Sequence, residues 1–294
     1  MFRSFRLRKR FMVILLIIFV LSLPVLVVSS YFILKKNVDK EILENAKLFL
    51  FTMESIRKHY GEVTRPAVMK ELPDRFIVEA MSTSFNARGV AEKIRSQFPY
   101  YIFKHISTDP RNPINKADRF EEGIIAKFKA DRRLKELTGV IEKGNVEYFY
   151  VSRPVISKTD CLRCHGLSEN APEEMVREYY TAGGYGWKED QVVASLMAYV
   201  PTAIAKQSAT NALMLFTSFY AGIFFLIMII IDRVIIGSII KPIEQLAGVA
   251  DGISRGKFEK EFTVKTKDEL KILSDAFTRM KLSLVKAMDM VKKK

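Results

Sequence analysis

Cysteine, histidine and tryptophan are scarce in this 294-residue chain, which holds two, three and one of them. The two cysteines stand three positions apart, so there is no second pair from which a disulfide framework could be built. A structural zinc site of the usual four-ligand kind lacks its second cysteine pair for the same reason. The sequence has no phosphate-binding loop, no nucleophile beside a base and no paired carboxylates in a pocket-like setting, so catalysis has no candidate residues and no enzyme is expected. Internal repeats and low-complexity tracts are missing too. Charge is absent from two long stretches, residues 11–34 and 207–231.

What is present begins with a formal net charge of +14, unevenly spread. Five basic residues (Arg3, Arg6, Arg8, Lys9 and Arg10) fill the first ten positions, and residues 233–294 carry 14 basic against 8 acidic side chains. The centre is nearly balanced. Positive charge at the outer ends of two apolar runs is the signature of membrane orientation, not of a nucleic-acid-binding face, and no nucleic acid is expected as a partner. Each run is long enough to cross the hydrocarbon core, which takes about 20 residues. Pro24 is tolerable in a membrane helix. A cleaved signal peptide is the alternative for the first run, but it is too long for a typical apolar core and lacks a clear small-residue cleavage site. The expected organisation is a cytoplasmic basic tail at 1–10, a transmembrane helix at 11–34 and a periplasmic domain at 35–206. A second transmembrane helix at 207–232 and a cytoplasmic module at 233–294 follow. The bilayer of the cytoplasmic membrane is thus the first partner.

The stretch between the spans mixes helical and strand patterns. Ile42, Ala46, Phe49, Met53, Ile56 and Tyr60 recur at threes and fours, continuing a helix out of the membrane. Pro66 and Pro73 punctuate the chain. Residues 85–98 read as a helix, 100–106 as a strand, and 116–136 as helical again. Residues 137–141 and 147–156, around Lys143-Gly144-Asn145, read as a hairpin. A short helix near Glu173–Tyr180, a turn rich in glycine (Gly183, Gly184, Gly186) and a last strand at 191–200 complete an α+β pattern.

Between hairpin and short helix lies Cys161-Leu162-Arg163-Cys164-His165. Two thiols at this spacing suit addition to the two vinyl groups of a haem, and the imidazole directly after them suits the iron; C-x-x-C-H supplies all three in five residues. The pattern points to haem c, covalently attached through Cys161 and Cys164, with His165 as proximal iron ligand. A redox dithiol would leave His165 unexplained and prefers a βαβ setting. The opposite axial position stays open among His59, Met53, His105, tyrosine, water or no ligand. His59 is placed first because it ends the helix that leaves the membrane, and Met53 lies on the apolar face of that helix. Both have plainer readings, a solvated helix-end histidine and a core methionine. Arg153, Tyr148 and Tyr150 alternate on the strand leading to the motif and are candidates for haem contacts, with ordinary sheet residues as the alternative. Tyr185 and Trp187 are candidate pocket walls.

In order along the chain come Arg65-Pro66-Ala67, Leu72-Pro73-Asp74-Arg75-Phe76, Met81-Ser82-Thr83-Ser84-Phe85, Asn112-Pro113 with Asn115-Lys116-Ala117-Asp118, Arg153-Pro154, Cys161 to Gly166, and Gly184-Tyr185-Gly186-Trp187. This ordered set, over residues 40–205, resembles a bacterial family of c-type-haem-binding sensor domains once catalogued as a domain of unknown function. The resemblance implies a PAS-like fold, with a central antiparallel sheet flanked by helices. It carries Cys161, Cys164 and His165 over as attachment and ligand residues, and does not carry over a distal ligand.

After the second apolar run, Ile239, Ile240, Ile243, Leu246, Val249, Ala250 and Ile253 form a heptad-like stripe opened by Lys241-Pro242. Gly252 and Gly256 are expected to break the helix, and Phe258, Phe262 and Val264 dot a connector. Asp268-Glu269 begin a second helix with Leu270, Leu273, Ala276, Phe277, Met280 and Leu284 inward. This arrangement, with Pro242 and Glu269 at the matching places, resembles a HAMP signal-relay module. Neither helix buries its stripe alone, which implies a homodimer with a four-helix coiled coil; an amphipathic tail lying on the membrane is the alternative. No output region follows up to Lys294, so either a cytoplasmic partner carries the signal or the sequence stops inside a longer protein. The function expected is membrane-bound sensing of redox state or a small gas ligand through the haem. A membrane-anchored monohaem electron carrier is the competing reading, and an adaptor with a structural haem a third.

Overall fold

The computed structural model describes residues 4–73, 75–179, 183–264 and 268–292. They form two compact units, Ile33–Asn211 and Met1–Phe32 with Ala212–Lys294. Asp74 and Tyr180, named above, lie outside the described residues.

In chain order the helices and strands are α1 (Ser4–His59), α2 (Arg65–Glu71), α3 (Val78–Met81), α4 (Thr83–Gln97), β1 (Ile102–Ile106), α5 (Arg119–Ala130), β2 (Leu137–Lys143) and β3 (Val146–Ile156). Then come α6 (Thr159–His165), α7 (Glu173–Tyr179), β4 (Val192–Pro201), α8 (Ala203–Val234), α9 (Lys241–Ser254) and α10 (Glu269–Lys292).

The Ile33–Asn211 unit is organised by an antiparallel sheet of order β1-β4-β3-β2. The β2–β3 hairpin turns at Gly144 and Asn145, both left-handed with φ of 57° and 63°. That backbone matches the twist of the flanking strands, and these two residue types adopt it most readily. Strand β4 is buried at every position. Its alternate side chains serve two cores, as a pleated strand covered on both faces requires. Leu196, Ala198 and Val200 meet Ala46, Phe49, Leu50 and Met53 of α1 and Ala87 and Ala91 of α4. Met197 and Tyr199 meet Ile124, Ile125 and Phe128 of α5. Helix α5 starts in a capping box, Asp118 accepting from the Glu121 amide at 2.9 Å while Glu121 accepts from the Asp118 amide at 3.0 Å.

Two local readings change. The periodic stretch 116–136 is helical only to Ala130; Asp131 turns extended and its carboxylate takes the Arg133 backbone and guanidinium, while Leu134 reaches the same core from outside the helix. Pro66, read as punctuation, sits in the first turn of α2 just after a π-helical turn at Tyr60–Thr64, so the helix runs on through it with a local change of hydrogen bonding rather than a stop.

In the other unit α1 and α8 meet through apolar and polar contacts. Phe19 packs on Phe224 at 4.7 Å, Ser22 and Tyr220 share a hydrogen bond, and Arg8 grips Asp232 through two bonds of 2.7 and 2.8 Å. The most apolar 18-residue windows of the two helices have mean hydropathy 3.3 and 2.6 and are almost wholly unburied, as lipid-facing helices would be. Gly252 does not break α9, which continues to Ser254; an interior glycine costs a helix only about 1 kcal/mol. The break falls at Gly256, whose φ of 80° is one that side chains resist. Leu246, Ile253 and Phe262 form a small core joined by Phe277, and the buried Ser274 hydroxyl donates to the Phe262 carbonyl at 2.6 Å.

Candidate functional site

Strand β3 delivers the chain into α6, a two-turn helix that carries Cys161, Cys164 and His165. The helix stops at Gly166, where a Cβ would lie 2.5 Å from the Leu162 carbonyl oxygen. Both thiols are free and half-buried. Burial pushes the Cys164 thiol up, with Arg111, Arg65 and Arg163 acting in the opposite direction.

The glycine-rich turn folds over the end of α6. The Gly186 amide donates to the Gly166 carbonyl at 2.8 Å and the Trp187 amide to the His165 carbonyl at 2.9 Å. Trp187 stacks flat on the His165 ring, centroids 3.9 Å apart and planes 7° apart. His165 Nδ1 donates to the Gly184 carbonyl at 2.7 Å, which leaves Nε2 with its lone pair. Burial, reinforced by Arg111, pushes His165 down to about 4, so the ring is neutral at physiological pH. Neutral imidazole with the far nitrogen tied to a carbonyl is the form in which histidine binds metals. Gly184 itself has φ of 74°, its amide donates to Asp109 at 3.0 Å, and a Cβ there would meet the Arg111 amide nitrogen at 3.0 Å. Gly184→Ala is therefore expected to cost about 1–3 kcal/mol and to loosen the His165 ring, seen as a lower melting temperature and loss of the stacked-tryptophan fluorescence signature.

Two clefts adjoin α6 and share Phe76. One, of about 110 Å³, is lined by Ser84, Arg88, His105, Arg111, His165 and Trp187 among others. The second, of about 360 Å³, is lined by Arg65, Met69, Arg75, Asp160, Arg163 and Cys164 among others. Arg111 reaches across the first, donating to the Cys164 and Gly184 carbonyls and lying 4.7 Å over the Tyr185 ring. Arg57, at the end of α1, donates to Ser84 at 2.8 Å and faces His105 Nδ1 at 3.2 Å. Burial lowers the Arg57 guanidinium to about 10, still cationic at neutral pH, and burial with Arg57, His165 and Arg88 nearby holds His105 well below the ordinary histidine range.

The motif residues and Trp187 are thus brought together, while six other residues singled out from the sequence line neither cleft, among them Tyr185, which lies under the Arg111 guanidinium. Met53 is fully buried among α1, α4 and sheet side chains. His59 is exposed, its ring edge-on to Tyr60 at 6.2 Å. Arg153 is held by Glu54 at 2.6 Å and Glu136 at 2.8 Å. Tyr148 and Tyr150 belong to the α5 core, against Tyr199 and Phe120. Sequence reasoning missed the arginines, Arg57, Arg65, Arg88 and Arg111. The ordered segments of the resemblance contain Arg65 and lie beside Arg88 and Arg111, and Arg65-Pro66, Arg75-Phe76, Met81, Ser82, Ser84, Phe85 and Asn112 all fall on the cleft walls; nothing in them points to Arg57.

A sheet between helices with a cation-rich, two-thiol site defines a sensor-type domain set between candidate membrane helices. The family model described as Tll0287-like matches residues 35–201, more than half of the chain, and the HAMP domain model matches residues 234–286. The chain belongs to the Tll0287-like family, haem-binding PAS-like sensor domains, here followed by a HAMP domain. The crystal structure of the cyanobacterial heme-protein Tll0287 aligns with 55% of this chain and 95% of its own, at 14% identity and a TM-score of 0.44. Among curated proteins none matches. A sensor domain with a HAMP domain and two candidate membrane helices is consistent with a membrane sensor that relays a signal.

Proposed function

We propose that this protein is a sensor of the cytoplasmic membrane that carries a haem c in the periplasm and passes its state through the HAMP domain to a cytoplasmic partner. The observation that carries the reading is the His165 arrangement. A neutral imidazole, stacked on Trp187 and tied at Nδ1 to the Gly184 carbonyl, follows directly on two free thiols at C-x-x-C spacing.

The residues fit such a group. Cys161 and Cys164 would hold it covalently and His165 would ligate its iron, while arginines of the two clefts meet its propionates. When bound, haem would supply a one-electron redox centre and an iron able to bind small ligands. The chain's own part is to hold His165 neutral and fixed, to surround carboxylates with guanidinium groups and to limit water. Basic residues at the outer ends of both spans support cytoplasmic termini and a periplasmic sensor domain. In the HAMP domain, Ile243, Leu273, Met280, Leu284 and Met288 are 41–50% exposed in the single chain, an apolar surface that supports a homodimer.

The test uses full-length protein made with haem-maturation machinery. A c-type pyridine haemochrome that survives denaturation is expected. With Leu273→Cys as a reporter, bismaleimide crosslinking between copies is expected to change rate when the haem is reduced or given carbon monoxide. Protein without covalent haem would sink the cofactor reading. Crosslinking blind to both treatments would sink the sensing reading and favour an anchored electron carrier.

A further inference from the structure

His105 holds an atom that the chain itself does not use. Its Nε2 is sealed from solvent and has no hydrogen-bond partner among the described residues, and the residue lines the same cleft as His165. Leaving a buried polar atom unmet is costly, so a ligand that meets it is favoured. The other ring nitrogen fixes where the proton lies. Arg57 Nη1 is 3.2 Å from His105 Nδ1, and a guanidinium N–H only donates. Ser84 Oγ accepts from Arg57 at 2.8 Å and sits 2.6 Å from the same Nδ1, toward which its own O–H is left to donate. Nδ1 is therefore an acceptor, and the ring proton is on Nε2. His165 has the reverse arrangement, with Nδ1–H donating and Nε2 bare. His105 is set to donate, not to ligate iron.

The surroundings say what it donates to. Arg88 and Arg111 line the cleft with the two histidines, and among the described residues no aspartate or glutamate lines it. The acid nearest Arg88, Glu92, is 3.8 Å away and largely exposed. The geometry points to a carboxylate-binding cleft, in which His105 Nε2–H and the Arg88 guanidinium hold a ligand's carboxylate group. Two sources share that chemistry, a haem propionate and a free small organic acid. The first rests on the haem reading and the second does not.

The experiment uses full-length holoprotein in detergent, acetate as the probe, and the variants His105→Leu and Arg88→Met. If the cleft takes free acids, calorimetry finds saturable acetate binding that each substitution weakens about tenfold or more, the loss of one charge-assisted bond. If it takes a propionate, acetate does not bind. Both substitutions then lower the haem midpoint potential, because the propionate charge they leave unmet favours ferric iron. No acetate binding together with unchanged potentials overturns the proposal. So does conversion of a six-coordinate low-spin spectrum to five-coordinate by His105→Leu alone, which would make His105 an iron ligand. Arg88, on α4, keeps both arms readable should His105→Leu fail to fold. Wild-type protein lacking covalent haem defeats the haem reading alone, and the acetate arm, read on that same protein, still decides the cleft.

Discussion

Glu121→Ala is expected to destabilise the sensor domain by about 3–5 kcal/mol, the cost of breaking a buried charge pair from one side. Glu121 is fully buried on α5. Its carboxylate accepts from Lys104 Nζ at 2.8 and 2.6 Å, from Lys143 Nζ at 3.1 Å, from the Tyr199 hydroxyl at 2.7 Å and from the Asp118 amide at 3.0 Å. Truncation leaves the Tyr199 hydroxyl sealed in the core beside two ammonium groups whose side chains are only 28% exposed. A melting temperature lower by roughly 6–20 °C follows for a domain of this size, read from Trp187 fluorescence on the full chain. A change of 2 °C or less would mean that water takes the place of the carboxylate.

The same group sets an acid limit. Burial pushes Glu121 up, but the bonds from Lys104, the Asp118 amide and Tyr199 outweigh it, and its net position is below the ordinary glutamate range. Asp118 is lowered as well, burial again being outweighed, by Lys143 and the Glu121 amide. The unfolded chain therefore binds protons more readily than the folded one just below about pH 4, where free carboxyls titrate. The stabilisation is complete above that pH and drains away as pH falls through the lowered folded values. Glu121→Gln, which cannot titrate, is expected to be less stable at neutral pH and to lose less on acidification. Parallel acid limbs for the two proteins would refute this assignment.

The second large effect concerns the cofactor. Cys161→Ala with Cys164→Ala is expected to reduce covalent haem, stained on a denaturing gel, to background. The fold around the site should survive, because His165 is held by Gly184 and Trp187 and neither thiol carries the core. Either single substitution leaves one thioether, and with it one vinyl group in conjugation, so the haemochrome band moves to longer wavelength. His165→Ala keeps both thioethers and loses the proximal ligand, giving a high-spin spectrum. Haem that stays covalent in the double variant would place the attachment elsewhere.

Much of this architecture is legible from residue order because short-range rules govern it. Gly144-Asn145 dictates a tight left-handed turn, Asp118 and Glu121 announce a helix start, and the apolar stripes of α1 and α5 choose their own buried faces. The site is less legible because its residues meet only through the fold. Along α1, Met53 and Arg57 are one turn apart, and Arg57 is the one that reaches Ser84 and His105 of the cleft wall. His59, two residues further, has rotated about 200° away at 100° per residue. Strand alternation puts Phe103 and His105 on one face of β1, but which face looks toward α1 and α4 depends on the pairing of β1 with β4, 90 residues downstream. Arg153 and the two tyrosines were drawn to the motif by nearness in sequence; pleating sends Arg153 to acids on α1 and before β2, and the tyrosines to the α5 core.

Strand β4 ends at Pro201 and α8 begins at Ala203, with Thr202 alone between them. The Thr202 amide donates to the Glu147 carbonyl at 3.1 Å, the Lys206 amide returns to the Thr202 carbonyl at 3.0 Å, and Glu147 also accepts from the Thr202 hydroxyl and the Lys206 ammonium. Mechanically, this joint keeps the freedom of a single pair of backbone torsions, and both of its ends are clamped to β3. It has no slack in which a displacement of the most buried strand could dissipate. A displacement of that strand is therefore expected to move the first turns of the following helix with it, as through a rigid coupling, within the Ile33–Asn211 unit.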